Sequence, residues 1–338
     1  MSNRLRYIFL TIGVVAIVVM CLTFKVSFVE LYEDICKAGY WLVAILFLWG
    51  LLYVMNALSW LIIIRGSGPC PIPFSRLLRL TVTGFALNYA TPVGLLGGEP
   101  YKILETTPQL GTQRATSSVV LFSMMHVFAH LWFWLTSIAL YAILVMTGIV
   151  PPDLTMSILL PLMAIFCLGG IYLFVKGYKN GMVVRLFQLI AHIPGLRGWA
   201  QRFATTHADD LQKIDRQISE LQGQNRRSFY ASFAMEYAGR VLQSLEIFFI
   251  LLILGREASL LTFVQSFIIL SFTSLFANLL FFFPLQIGGR EGGFVMSAMQ
   301  LGMPLSFGIF ISVICRVREL FWAAAGMLFL MFNKLPCR

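Results

Sequence analysis

Two stretches of this chain repeat one pattern of asparagine, proline, glycine and glutamate. In each copy the glutamate follows the proline by seven residues, and the prolines, at positions 92 and 284, stand 192 residues apart. Proline ends a helix and paired glycines free the backbone, so each copy predicts a helix that breaks and then restarts beside a carboxylate. The corresponding positions are Asn88, Pro92, Gly97, Gly98 and Glu99 in the first copy, and Asn278, Pro284, Gly288, Gly289 and Glu291 in the second.

The similarity extends into the helix that precedes each break. Positions three and four residues apart fall on one face of a helix, so both halves predict an apolar helix with a single polar stripe. The stripe consists of Thr81, Gly84 and Asn88 in the first copy, and of Ser271, Ser274 and Asn278 at the same spacing in the second.

The composition places these helices in a membrane. Of 338 residues, 59% are hydrophobic and only 12% are charged, and the mean hydropathy is +0.83. A soluble domain is nearer half apolar and a quarter charged. Long apolar runs favour helices over a barrel, which shows short alternating segments. We therefore expect an all-α, polytopic transmembrane bundle of about eight spans, at 7–24, 39–64, 74–90, 118–147, 154–175, 229–254, 260–283 and 305–332.

Three further features narrow the class of protein. The basic N-terminus is followed by an apolar run without a small-x-small cleavage site, which predicts an uncleaved first helix. The six cysteines are scattered without a CxxC pair, so we interpret them as packing residues. The net charge of +10 comes from basic residues beside apolar runs, where they meet anionic lipid headgroups, and it does not indicate nucleic-acid binding.

Residues 176–228 form a polar insertion. Its apolar residues from Leu211 to Leu221 recur at helical spacing, which predicts an amphipathic helix that packs on its own protein or contacts lipid headgroups. Its basic residues favour the cytoplasmic side. If the N-terminus is cytoplasmic, a count of eight spans places the insertion on the opposite, non-cytoplasmic side. Either the N-terminus is outside, or one broken segment crosses the bilayer, or 118–147 is two helices.

The remaining chain predicts one integral membrane domain with an internal repeat, 39–147 and 229–332. Each half reads helix, polar link, helix, Pro/Gly-rich (re-entrant) break, helix. Four predicted spans separate corresponding helices. The halves are therefore parallel if neither break crosses the bilayer and inverted if only the first one does, and the sequence leaves both open.

The restarted helix after each break is a predicted anion site. Its first N–H groups and the positive end of its dipole point at the break, and Lys102 and Arg290 add positive charge. A phosphate-bearing lipid headgroup fits such a site better than a cation. Glu99 and Glu291 then pair with these bases, carry protons or contact a headgroup amine. In the alternative interpretation, the breaks are ordinary interfacial loops whose glutamates cap helices.

Ionisable residues inside the apolar runs form a second group of candidates. An ionised side chain near the bilayer centre costs at least about 2.5–3.5 kcal/mol, so it faces a bundle interior or a wet cavity. Two pairs have helical spacing, i,i+4 and i,i+3, and can form along their own helices. The candidates for lining a cavity, or for a buried network that locks helices together, are Arg240 with Glu236, Arg316 with Glu319, and Glu246, which has no local partner.

His126 and His130 share one helix face at i,i+4. A metal site needs further ligands, and no acidic residue or cysteine accompanies them at a useful spacing, so we predict neither a metal site nor a cofactor. We interpret both as polar contacts of a cavity in the first half. Their position corresponds to that of Arg316 and Glu319 in the second half.

These motifs resemble the lysylphosphatidylglycerol synthase transmembrane region, a flippase-like family, over about 42–332. In the multidrug-resistance synthases of that family, this region is taken to move an aminoacylated phospholipid between leaflets, followed by a cytosolic synthase domain. The present sequence stops at Arg338, so no aminoacyl transferase activity is expected of it. Lys102 stands where the family often has Arg, and Gln286 interrupts the second motif. The resemblance rests on Asn88, Pro92, Gly97-Gly98-Glu99 and Lys102, and on Pro284 and Gly288-Gly289-Arg290-Glu291.

The residues and the resemblance lead to one main hypothesis. The protein is expected to be a lipid flippase or transporter of the bacterial inner membrane, not an enzyme, with an anionic headgroup bound between the broken segments. One alternative is a membrane enzyme that uses Glu99 or Glu291 as a general base on a lipid-linked substrate, although the sequence has no donor-binding motif. Another is an accessory subunit that presents lipid to a separately encoded lipid-modifying enzyme. The expected partners are membrane lipids and, for this alternative, that enzyme.

Overall fold

The computed structural model describes residues 36–90, 97–180, 226–279 and 289–332, with a few isolated positions between them. The expected first span at 7–24, most of the polar insertion, and Pro92, Pro284 and Gly288 lie outside the described residues. Within these ranges the chain forms helices α1 Tyr40–Gly66, α2 Phe74–Ala90, α3 Gly98–Leu110, α4 Thr112–Met146, α5 Leu154–Asn180, α6 Arg226–Ile253, α7 Leu260–Leu279, α8 Gly289–Gln300 and α9 Leu305–Phe332.

The helices agree with the apolar runs of the sequence. α2 and α9 have the bounds expected for 74–90 and 305–332, and the other long helices begin and end near their predicted limits. α4 is one continuous helix of 35 residues, so the alternative that 118–147 is two helices is wrong. A short helix follows each break, as the pattern of glycine and glutamate predicts: α3 has 13 residues and α8 has 12.

Four of the described helices are long and apolar enough to cross a membrane. They are α1, α4, α7 and the part of α5 up to Lys176. α6 and α9 have 28 residues each, but both carry ionisable side chains well inside the helix, and α2 has only 17 residues. The expected total of about eight spans therefore stays a prediction.

Each break separates the two arms of an antiparallel helical hairpin. In the first, the C-terminal end of α2 meets the start of α3 where Asn88 binds Gly98, and the start of α2 meets the end of α3 where Arg76 approaches Glu105. In the second, Gly293 of α8 packs on Thr273 of α7. The helices α2 and α3, and likewise α7 and α8, thus form two helical hairpins.

The two repeats are related in an inverted sense. Corresponding helices α1 and α6 pack side by side along most of their length. Trp49 near one end of the contact bonds to Glu246, and Ser59 further along α1 bonds to Ser232, which lies earlier in α6. The numbering rises in one helix as it falls in the other, so α1 and α6 are antiparallel. The sequence left both arrangements open, and this contact favours inverted halves.

Each hairpin also packs on the long helix of the other repeat. Thr83 of α2 donates a hydrogen bond to the carbonyl of Gly326 in α9. In the matching contact, Ser271 of α7 donates to the hydroxyl of Ser137 in α4, over 2.6 Å. Each half thus completes the packing of the other, and the apolar core runs through both contacts. These reciprocal contacts, of α2 with α9 and of α7 with α4, bring the two hairpins into one bundle.

Candidate functional site

The turn of the first hairpin is closed by an asparagine. The Asn88 side-chain oxygen accepts a hydrogen bond from the backbone N–H of Gly98 over 2.7 Å, and its amide donates to the Glu99 carboxylate over 3.0 Å. Gly98 begins α3, where the first N–H groups have no partner within the helix. A residue of α2 therefore caps α3, and the cap holds Glu99 beside the break.

Two glycines allow the arms of this hairpin to approach closely. A Cβ on Gly98 would lie 2.3 Å from the carbonyl oxygen of Gly84, and a Cβ on Gly84 would lie 2.7 Å from Cε of Lys102. Real Cβ atoms do not approach other atoms this closely. Gly84 of the predicted polar stripe is therefore the residue that makes room for the Lys102 side chain.

Lys102 lies in the interior of the first repeat. It is buried, and its ammonium nitrogen is 3.6 Å from the Glu99 carboxylate. The same nitrogen lies 5.0 Å from the ring centre of Phe122 and 5.8 Å from that of Trp60, within the range of cation–π attraction. The ammonium is thus held by one carboxylate and two aromatic rings.

The second hairpin is held by charges. Both residues that follow its glycines pair with α9: Arg290 contacts Glu319, and Glu291 accepts a hydrogen bond from Arg316 over 2.6 Å. Arg316 also pairs with Glu319 over 3.0 Å, which is the i,i+3 pair expected from the sequence. The predicted residues Arg290, Glu291, Arg316 and Glu319 therefore form one continuous network.

This network extends to a residue that the sequence analysis overlooked. Arg318 is buried, and its guanidinium donates two hydrogen bonds to the Glu246 carboxylate, over 2.8 and 3.0 Å. Trp49 of α1 donates to the same carboxylate, and its ring lies 3.7 Å from the guanidinium carbon. Glu246 has no exposed surface, which agrees with the buried-network alternative and not with a place in a cavity wall. The sequence feature that could have identified Arg318 was its position inside an apolar run.

A tyrosine connects the two hairpin turns. Tyr89 directly precedes the described end of α2, and its hydroxyl accepts a hydrogen bond from Arg316 over 3.4 Å. Arg316 binds Glu291 after the second break, while Asn88, the neighbour of Tyr89, binds Glu99 after the first. Tyr89, before the first turn, and Glu291, after the second, therefore share one partner, Arg316.

The second polar stripe does not repeat the contacts of the first. Asn278 is exposed and donates to the carbonyl of Ser274 in its own helix, whereas Asn88 caps a second helix. Ser274 accepts a hydrogen bond from the indole of Trp134 in α4 over 2.8 Å. The sequence placed both asparagines in equivalent roles, and the structure gives them different partners.

A second polar cluster joins α4 to α6. Nδ1 of His126 lies 3.0 Å from the Glu236 carboxylate, and Arg240 contacts the same imidazole. His130 contacts the backbone carbonyl of His126 over 3.2 Å. The interpretation of His126 as a contact within the first half is wrong, because its partners belong to the second. Glu236 and Arg240, expected to pair along their own helix, meet at this histidine.

The described residues offer no built metal site, since no three His, Cys, Asp or Glu side chains in them come together. A cavity of about 10 Å³ lies between α1, α4 and α6, beside Met125 and Ser232. It has room for about one water molecule and is too small for a lipid headgroup. The polar contacts at the hairpin turns are therefore the better candidate for a binding site.

Comparison with known proteins gives one result that covers most of the chain. The family model described as "Lysylphosphatidylglycerol synthase TM region" matches residues 8–326. No match was found among curated proteins or among solved structures. The matched segment contains both hairpins, both charged clusters and nearly all of α9.

Proposed function

Because the chain belongs to the family of the lysylphosphatidylglycerol synthase TM region, whose members are multi-pass membrane proteins, we propose that it transfers a phospholipid between bilayer leaflets. The lipid has an anionic headgroup, and the membrane is the bacterial inner membrane. The headgroup passes between the turns of the two hairpins while the acyl chains stay in the lipid. The protein has a transport role in this proposal, and it forms no covalent bond with the lipid.

One observation carries this proposal: residues beside both hairpin turns share one set of contacts. Arg316 binds both Tyr89, before the first turn, and Glu291, after the second. In transporters built from inverted repeats, broken helices from the two repeats meet at the substrate site. A headgroup at Arg316 therefore contacts both repeats at once, as a rocking motion between them requires.

The lengths of the hairpin arms support a re-entrant arrangement. α3 has 13 residues and α8 has 12, so each rises by only about 20 Å at 1.5 Å per residue. The hydrocarbon layer is about 30 Å thick. In our proposal each hairpin enters the membrane and returns to the same side, so that its turn lies at the depth of the buried charges.

The chemistry of the second turn suits a phosphate. Arginine binds phosphate and carboxylate with the same planar fork, so a phosphate can replace a carboxylate on it. Glu291 is the most accessible carboxylate of this network, with 24% of its side chain exposed, against 2% for Glu319. We expect the headgroup phosphate to displace Glu291 from Arg316, to contact Arg290, and to be released when Glu291 returns.

A leaflet-transfer assay tests this role. Purified protein is placed in liposomes that carry a fluorescent lipid, and the label on the outer leaflet is quenched over time. We expect the protein to accelerate transfer of an anionic phospholipid. Glu291→Gln removes the charge that competes with phosphate, so release slows and we expect transfer to fall by about tenfold, equivalent to 1.4 kcal/mol. Glu257→Gln, in the exposed link before α7, is the matched control and keeps the wild-type rate.

The outcomes separate the alternatives. Transfer by folded Glu291→Gln at the wild-type rate would reject the exchange at Arg316. Equal transfer of anionic and uncharged lipids would reject recognition of the headgroup. Protein that accelerates nothing alone, but does so with a co-purifying synthase, would instead support the accessory-subunit alternative. Conversion of a lipid by the purified protein and a soluble donor would support an enzyme.

A further inference from the structure

The cluster around His126 crosses the interface between the repeats and plays no part in the proposed headgroup exchange. His126 belongs to α4 of the first repeat, and both of its side-chain partners belong to α6 of the second. Glu236 faces Nδ1 of the imidazole over 3.0 Å. One guanidinium nitrogen of Arg240 contacts both ring nitrogens and lies closer to Nε2. The imidazole thus lies between an anion and a cation.

Only one protonation state of His126 suits both partners. A neutral ring with its proton on Nδ1 donates to the Glu236 carboxylate and accepts at Nε2 from Arg240. A proton added to Nε2 turns this second contact into two facing donors, both on positively charged groups. The Arg240 guanidinium must then leave the ring. Proton binding at this site therefore changes a contact between the repeats.

The cluster is accessible from one side. The His126 side chain is 38% exposed, although it lies well inside α4, while the Glu236 side chain is 3% exposed. An ionisable side chain at this depth faces a water-filled cleft in preference to lipid. The second carboxylate oxygen of Glu236 is buried without a well-aligned hydrogen bond among the described residues, and the Ser59 hydroxyl lies beside this carboxylate. A proton can thus reach the imidazole from the cleft, with an incompletely bonded carboxylate behind it.

The other charges around His126 link it to the first hairpin. Lys102 of α3 interacts with it electrostatically and, like Arg240, is positive, while Glu99 pairs with Lys102 and His130 lies one turn along α4. The ring of Phe122 lies between Lys102 and His126, with its centre 5.0 Å from the ammonium and 6.5 Å from the imidazole centre. The neighbouring stretches 40–64, 154–175 and 260–279 contain no charged residue. A charge gained at His126 therefore acts most strongly on Arg240 and Glu236, and beyond them on Lys102.

We propose that His126 and Glu236 form a proton-binding site between the two repeats. When a proton binds at this site, Arg240 is released from the imidazole and a positive charge is placed near Lys102. The site thereby couples proton binding to the hairpin that holds Glu99. The coupling to lipid transfer rests on the function proposed above, whereas the proton site itself does not.

Nuclear magnetic resonance of the imidazoles tests the site directly. The chain has four histidines, at positions 126, 130, 192 and 207, so selective labelling gives few signals, and single His→Gln variants assign them. With the protein in lipid nanodiscs, we expect His126 to carry its proton on Nδ1 at about pH 8 and to gain a second one as the pH falls towards about 5. Glu236→Gln should alter this response. A neutral His126 throughout, or a response that Glu236→Gln leaves unchanged, would overturn the proposal.

Lipid transfer under a pH gradient tests the coupling separately. We expect wild-type transfer to respond to the gradient, and His126→Gln to weaken that response by about fivefold or more. His192→Gln, in the polar insertion, is the matched control. A response that His126→Gln leaves intact would refute the coupling. Protein without lipid transfer, whose His126 still binds a proton as described, would refute the proposed function and leave the proton site supported.

Discussion

In the hairpin α2–α3, a Cβ on Gly98 would lie 2.3 Å from a backbone oxygen of the facing helix, whereas in α7–α8 a Cβ on Gly292 would meet no atom of the described residues within 4 Å. The residue directly before the glutamate explains this contrast between the two hairpins. It is Gly98 before Glu99 in the first copy and Arg290 before Glu291 in the second. The small residue lets two helices touch, and the large charged one turns to α9 for its partner.

The comparison shows that one sequence pattern can form two hairpins that are held by different interactions. The first hairpin is held by backbone contact and by the cap that Asn88 provides, neither of which a ligand can replace. The second has a looser glycine contact, between Gly293 and Thr273, and is joined to α9 by exchangeable ion pairs. In the proposed transport role, the first hairpin is the rigid wall of the site and the second is the part that responds to the headgroup.

The largest effect that we predict concerns the charged half of this comparison. Glu246→Ala removes the carboxylate that accepts two hydrogen bonds from the buried Arg318 guanidinium and leaves it the longer, 3.5 Å pair with Glu319, so we expect the free energy of unfolding to fall by about 3–5 kcal/mol. Denaturant titration in mixed micelles measures it. Glu257→Ala, at an exposed position, should change it by less than about 0.5 kcal/mol. Similar values for both variants would show that ion pairs do not hold the second half.

A smaller loss is expected where the first hairpin is packed. Gly98→Ala forces a methyl group against the carbonyl of Gly84, which should lower the free energy of unfolding by about 2 kcal/mol. Gly292→Ala has free space and exchanges glycine for a better helix former, so we expect no loss. Thermal unfolding in detergent compares the two. If Gly98→Ala were as stable as Gly292→Ala, the contrast between the hairpins would be lost.

The two asparagines sharpen the contrast further. Asn88→Ala removes the cap of α3, for which we expect a loss of about 1 kcal/mol. Asn278 is exposed and, among the described residues, bonds along its own helix, so Asn278→Ala should cost less than about 0.5 kcal/mol. The same unfolding measurement applies. Equal losses would mean that the two stripes are equivalent after all.

The smallest effect tests the contact between the hairpins. Tyr89→Phe removes the hydroxyl that bonds to Arg316 over a long 3.4 Å, so a double-mutant cycle with Arg316→Lys should give a coupling of about 0.5 kcal/mol. A cycle of Tyr89→Phe with Arg256→Lys, in the exposed link before α7, is the control and should give no coupling. If the effects of Tyr89→Phe and Arg316→Lys simply added, the two hairpin turns would not be energetically coupled.

Much of the fold could be predicted because local rules determine it. Apolar runs predicted the helix positions, and the pattern of glycine and glutamate predicted the short helices α3 and α8. The pair Arg316 and Glu319 followed from the i,i+3 spacing alone. In each case the information lies within one or two helical turns of the sequence.

The remaining features depend on how helices meet, which no local spacing encodes. Glu246 pairs with a residue 72 positions away, and His126 with one 110 positions away. The repeat pattern suggested that Asn88 and Asn278 act alike, but packing on different neighbours gave them different contacts. The inverted relation of the repeats likewise needed the contacts between α1 and α6.

The buried guanidinium of Arg318 has a consequence for biogenesis. The sequence predicts α9 as a span, and such a span would bring Arg316, Arg318 and Glu319 into the bilayer, where each arginine costs about 2.5–3.5 kcal/mol when a helix enters lipid alone. Its counterions, Glu246 on α6 and Glu291 on α8, are synthesised earlier. A spanning α9 can therefore leave the translocon for a site already prepared by α6 and α8, which imposes an order of assembly on the nascent chain.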